Sequence, residues 1–173
     1  MEKTLFAERF IRIFKRKVDR LYSNCLIGGV KEPDTLGYHE HTFLINVAVY
    51  MTIKEINKKS HNKYSIVPEH GGRSPTDFMI RKNDKDFKLS IEHENAEHRI
   101  IKNYEKLIKK KDTKERLLIG YVGDKTSIED KIDELKRYKK KHKIVNKHVY
   151  VMIAKKGNKE FFYNSHGYRH ELI

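Results

Sequence analysis

The chain is short of cysteine, of tryptophan and of negative charge. Cys25 is its one cysteine among 173 residues, and tryptophan is absent. A lone cysteine excludes an intramolecular disulfide framework and fits a reducing, cytoplasmic compartment. No run approaches the roughly 18 consecutive apolar residues of a membrane span. The opening M-E-K-T-L-F-A-E-R-F-I-R-I-F-K-R-K is punctuated by charge, so it lacks a signal peptide's apolar core. No internal repeat, linker or low-complexity segment divides the sequence. A single domain spanning 1–173 is expected, a length that suits a proper core.

The deficit of acid matters most. Asp and Glu total 24 against 38 Lys and Arg, a formal charge of +14 with pI near 9.7. Such an excess favours a polyanionic partner, because each phosphate met by Lys or Arg releases counterions. The competing reading is a lysine-rich solvated surface. Although charged residues reach 36%, Tyr, Phe, Ile, Leu and Val recur at regular spacing, so the chain reads as folded.

Apolar periodicity predicts the elements. Phe6, Phe10, Ile13 or Phe14, and Leu21 mark a first helix, broken by Gly28, Gly29 and Pro33. A second helix is expected from about Thr35 to Lys58 on a stripe of Leu44, Val47 and Met51. Glu40 stands one turn before Leu44 and extends that face. The period then changes. Y-S-I-V-P-E-H, R-S-P-T-D-F-M-I-R and F-K-L-S-I-E-H-E-N read as three strands of an antiparallel meander. A helix carrying Ile101, Tyr104 and Ile108 follows, then the strand E-R-L-L-I-G-Y-V. Thr126 and Glu129 suggest a capping box before a helix striped by Ile128, Ile132 and Leu135. K-H-V-Y-V-M-I-A and a hairpin partner, E-F-F-Y-N, complete the order α-α-β-β-β-α-β-α-β-β. This is an α/β chain with a mixed sheet flanked by helices.

Strand alternation sorts the acids. In F-K-L-S-I-E-H-E, Phe87, Leu89, Ile91 and His93 point one way, and Lys88, Ser90, Glu92 and Glu94 point the other. Two carboxylates this close repel unless a cation intervenes. Lys88 is one candidate cation and a divalent metal is a better one, since hard ions prefer carboxylate oxygens. On the preceding strand Asp77 faces away from Phe78 and Ile80, towards the same spot. Glu40 on the second helix is placed to reach it as well. The plainer readings are salt-bridged strand-end acids for Glu92 and Glu94, a turn acid for Asp77 and a helix-dipole acid for Glu40.

A core helix, strands carrying S-P-T-D and then I-E-H-E, another helix and another strand resemble the PD-(D/E)XK nuclease superfamily, the restriction-endonuclease-like fold. The resemblance covers about residues 35–125 in the order αβββαβ. The first helix, and the last helix with its strands, are then additions to that core. Pro75 and Asp77 stand for the motif's Pro and Asp, with Thr76 between them, and Glu92 stands at its D/E position. Glu94 occupies the place where most members carry Lys, the E-x-E variant. Glu40 is similar to the helical Glu that several branches contribute.

The resemblance implies a Mg²⁺-dependent DNA endonuclease, with Mn²⁺ as a substitute. Asp77, Glu92 and the backbone carbonyl of His93 would bind the metal. Glu94 would bind or orient the attacking water, and Glu40 would support the site. Arg73, Lys88, Lys136, Arg137 and Lys140 would contact nucleic acid, expected to be double-stranded DNA. Restriction-type cutting of a duplex favours a homodimer. The other class of function is a non-catalytic basic nucleic-acid-binding domain. Between Lys131 and His148 eight Lys or Arg face two acids, either a backbone-tracking stripe or a solvated helix face. Ten histidines invite a zinc reading, yet His39/His41 and His93/His98 lack the i, i+4 spacing of a zinc helix. Gly71-Gly72-Arg73-Ser74 does not match a P-loop.

Overall fold

A computed structural model describes residues 5–27, 38–70, 76–83, 85–111, 113–123, 125–144, 147–155 and 169–173. They form four α-helices and one mixed six-stranded sheet. The helices are α1 (Phe6–Ile27), α2 (Tyr38–Lys58), α3 (Ile100–Lys109) and α4 (Ile128–Lys141). The strands are β1 (Tyr64–His70), β2 (Thr76–Lys82), β3 (Asp86–Glu94), β4 (Glu115–Val122), β5 (Tyr150–Lys155) and β6 (Arg169–Leu172). The element order is the one the periodicity predicts.

Each strand pairs with the next in sequence. β1, β2 and β3 form an antiparallel meander, with Phe78 opposite Ile91 and Ile80 opposite Leu89. β3, β4 and β5 run parallel, and β6 returns antiparallel to β5. Parallel neighbours need a crossover, and α3 and α4 supply the two crossovers. Two crossovers of the favoured right hand, advancing the same way across a sheet, put their helices on one face. α1 and α2 cover the other.

The sheet is therefore buried on both faces, and its side chains divide by alternation. Phe78, Ile80, Leu89, Ile91, Leu117, Ile119 and Met152 join the α1–α2 core. Leu118, Val122, Val151 and Ile153 join the α3–α4 core. Gly120 lets α3 sit low on the sheet. A Cβ there would meet Ile153 Cδ1 at 3.0 Å and Ile100 Cδ1 at 3.1 Å.

Three details differ from the sequence reading. The buried face of α2 carries Ile45, Ala48, Val49 and Ile56, whereas Val47 and Met51 are only half-buried at its shoulder. The middle of α2 carries exposed Phe43 and Tyr50 as well as its buried residues, so spacing alone does not choose the face. The N-cap of α4 is Ser127, whose hydroxyl accepts from the Asp130 N–H at 2.9 Å. Thr126 instead donates to Glu97 Oε1 at 2.6 Å. The antiparallel partner of β5 is Arg169–Leu172, while E-F-F-Y-N lies outside the described residues. Among the described residues no helix is long and apolar enough to cross a membrane.

Candidate active site

The pleat fixes which acids meet. Leu89 and Ile91 belong to the α1–α2 core, so Ser90, Glu92 and Glu94 face α3. On β2, Phe78 and Ile80 take the α1–α2 side, which leaves Asp77 and Met79 on the α3 side. Ser90 confirms the arrangement, since its hydroxyl reaches Met79 Sδ at 3.0 Å and Thr113 Oγ1 at 2.8 Å. Register places Asp77 one residue beyond the Phe78–Ile91 pair, beside Glu92. Asp77 Oδ2 accepts from the His93 backbone N–H at 2.6 Å.

Glu92 is almost wholly buried, at 1% exposure. Burial pushes its carboxyl up to about 7, and the Asp77 carboxylate adds to the rise. Lys106 and Lys110 oppose it. The Lys106 ammonium lies 2.8 Å from Glu92 Oε1 and donates to Oε2 at 2.9 Å. Glu94, 6% exposed, is held differently. Its Oε1 accepts from the Ala96 N–H at 2.8 Å, and its Oε2 accepts from Asn103 Nδ2 at 3.1 Å.

Asn103 and Lys106 sit on one face of α3, three residues apart, which is about 4.5 Å of helix rise. Glu92 and Glu94 are two residues apart on β3, about 6.6 Å. α3 runs back against β3, so its earlier residue meets the strand's later acid. The two elements are in step, and each acid receives its own donor.

The end of β3 is also tied to α2. Asn95 Nδ2 donates to Thr42 Oγ1 at 3.1 Å. Glu40 lies two residues earlier, in the first turn of α2, and its side chain is outside what the structure describes. Arg73 is outside the described residues as well. The His93 ring takes the opposite face, as alternation predicts, and packs edge-on against Tyr121 at 5.6 Å.

Lys88 does not serve Glu92. It pairs with Asp86 at 3.4 Å, near the start of β3. Lys106 supplies the cation, a residue that sequence reasoning did not single out. The available signal was polar Asn103 and Lys106 beside the buried Ile100, Tyr104 and Leu107 of α3. Of the basic residues on α4, Lys136 pairs with Glu171 at 2.7 Å and Asp133 at 3.8 Å, and Arg137 and Lys140 are exposed. Among the described residues, no three His, Cys, Asp or Glu gather as a ready metal cluster.

Two coupled carboxylates beside a lysine make a centre that can exchange a proton near neutral pH or accept a second cation. Comparison of the chain with protein-family models, with curated proteins and with solved structures finds no match in any of the three.

Proposed function

We propose that the chain is a Mg²⁺-dependent DNA endonuclease built on a restriction-endonuclease-like core of α2, the β1–β3 meander, α3 and β4. The observation that carries this reading is the pairing of Asp77 with buried Glu92 on adjacent strands, under a helix that supplies Lys106. A chain with net charge +14 has every reason to keep buried carboxylates apart from each other and close to its own lysines. Here two acids are pressed together, and the repulsion is strong enough to help lift Glu92 to about 7.

The donor set suits Mg²⁺. Both carboxylates offer hard oxygens, and Mg²⁺ is commonly held by one or two carboxylates together with substrate phosphate. His93 donates its N–H to Asp77. Extended backbone sends the carbonyl of the same residue to the same side, so it adds a third oxygen. When bound, the ion would polarise the scissile phosphate and acidify a coordinated water. The protein's part is to hold Asp77 and Glu92 adjacent. Lys106 opposes the rise in the Glu92 carboxyl, and would be free to turn to a phosphate oxygen once a bound ion neutralises Glu92. Glu94, fixed by Ala96 and Asn103, orients water beside the pair.

A second reading has its own observation. Lys106 already balances Glu92, as a purely structural ion pair would. The chain would then be a non-catalytic nucleic-acid-binding domain. Incubation with plasmid, single-stranded DNA and RNA, with and without Mg²⁺ or Mn²⁺, separates the two. Divalent-dependent nicking or linearisation of plasmid is expected; salt-sensitive binding without cleavage under either ion contradicts the nuclease.

A further inference from the structure

At the other end of the parallel strands, a cleft of about 690 Å³ opens between the C-terminal turn of α4 and β6. Its floor is apolar, made by Ile144, Leu172 and Ile173, and its rim carries Lys139, Lys140 and Lys143. The floor is held firmly, because Ile173 and Val149 exchange both backbone hydrogen bonds at 2.9 Å. Leu172 nevertheless leaves 47% of its surface exposed, one of few large apolar side chains among the described residues to do so.

Among the described residues the rim charge is not all neutralised. Lys136, at the cleft's edge, is taken by Glu171 and Asp133, and Lys139 reaches His148 Nδ1 at 3.3 Å. Lys140 and Lys143 are exposed and have no carboxylate partner among the described residues. A ligand that satisfies the cleft therefore brings at least two negative charges and a flat apolar body together.

A nucleic-acid strand with an unpaired base has both. Phosphates match Lys140 and Lys143 as point charges. A base face covers apolar surface wherever it is free of its own stack. Bases inside a duplex are stacked on both faces and cannot reach such a floor. We propose that this cleft binds an unpaired nucleotide of a nucleic-acid strand, its base on Leu172 and Ile144 and its flanking phosphates on Lys140 and Lys143.

The cleft is not part of the acid site. Glu92 stands level with Val151, and Val149 lies two residues earlier on a strand two places away. That separation is roughly 12 Å from strand rise and spacing. The proposal rests on the nucleic-acid reading but not on cleavage.

The test is fluorescence anisotropy without divalent metal, with labelled duplexes of about 20 base pairs, blunt or carrying about five unpaired nucleotides. The tailed duplex should bind about tenfold more tightly than the blunt one. Leu172→Ser, an uncharged change at a half-exposed position, should erase that difference. The pair Lys140→Gln and Lys143→Asn should lower the salt slope for a single strand by about 1.4. Lys143 has φ of 50°, which asparagine tolerates. A tail effect that is absent, or that survives Leu172→Ser, overturns the proposal. So does adenosine monophosphate displacing the tailed duplex at equal concentration, since the site would then read a free nucleotide. Cleavage assays run in parallel keep the outcomes apart. Cutting without a tail preference removes only this inference, and a tail preference without cutting removes only the nuclease.

Discussion

Lys106 reaches Glu92 across the crossover from β3 to α3, its ammonium 2.8 Å from Oε1 and 2.9 Å from Oε2. On the proposed nuclease reading it would supply at Glu92 the positive charge that the resembled pattern places two residues later, where this chain has Glu94. The helix and strand are in step, so Asn103 serves Glu94 while Lys106 serves Glu92. Charge, burial and register at these four residues give the chain its testable behaviour.

Glu92 should make stability depend on pH in a particular direction. Burial, then Asp77, raise its carboxyl from 4.5 to about 7. Between those values the folded chain holds a proton that the unfolded chain has released. The stabilisation is complete below about 4.5 and lost as pH rises through about 7, with a size on the order of 3 kcal/mol. Urea unfolding of the wild type and of Glu92→Gln from pH 4.5 to 8 measures it. The wild type should lose stability relative to the variant as pH rises; parallel curves would show that Glu92 is not perturbed.

Removing the lysine should expose the acid pair's repulsion. At pH 8, Lys106→Ala leaves a buried carboxylate beside Asp77, at a cost of about 3 kcal/mol. At pH 5 Glu92 is protonated in the fold and the cost should largely vanish. Glu92→Gln combined with Lys106→Ala should be less damaging than the two single changes added together. A double-mutant cycle by denaturant unfolding at both pH values reads the coupling. Equal cost at pH 5 and pH 8 would mean that Lys106 stabilises by packing its stem and not by its charge.

Glu94→Lys restores the residue that most of the resembled family carries, yet it should not restore a better site. The Glu94 carboxylate accepts from two donors, the Ala96 N–H and Asn103 Nδ2, and is nearly buried. An ammonium there faces donors and offers no acceptor. A loss of about 2–3 kcal/mol is expected, with cleavage abolished. Thermal unfolding and plasmid cleavage by the variant check both parts. Retained stability with faster cleavage would assign the lysine's role to position 94 after all.

Much of the fold was legible because apolar period changes sharply along the chain. The meander and the face carrying Asp77, Glu92 and Glu94 follow from alternation at Phe78, Ile80, Leu89 and Ile91, and α3 and α4 follow from the helical stripes at Ile101, Tyr104 and Ile108 and at Ile128, Ile132 and Leu135. α2 was harder, because Phe43 and Tyr50 are aromatic yet 65% and 51% exposed, so apolarity there does not mark the core. The strand Arg169–Leu172 carries charge on alternate residues and sits at a sheet edge, where burial leaves little pattern. Lys106 was not legible from spacing. Its height above Glu92 depends on the turn from Asn95 to Arg99, a 3-10 turn over Glu97–Arg99 that sets where α3 begins. That turn is fixed by Glu97 accepting from the Gly123 N–H at 2.8 Å and from Thr126, contacts more than twenty residues away.

The most direct measurement is Mg²⁺-dependent DNA cleavage by the wild type, Asp77→Ala and Glu92→Ala, with circular dichroism and DNA affinity recorded for each. The wild type should cut, and both variants should lose at least about a hundredfold in rate while keeping helix content and DNA binding. Metal-dependent cutting that survives both substitutions would contradict an active site at Asp77 and Glu92.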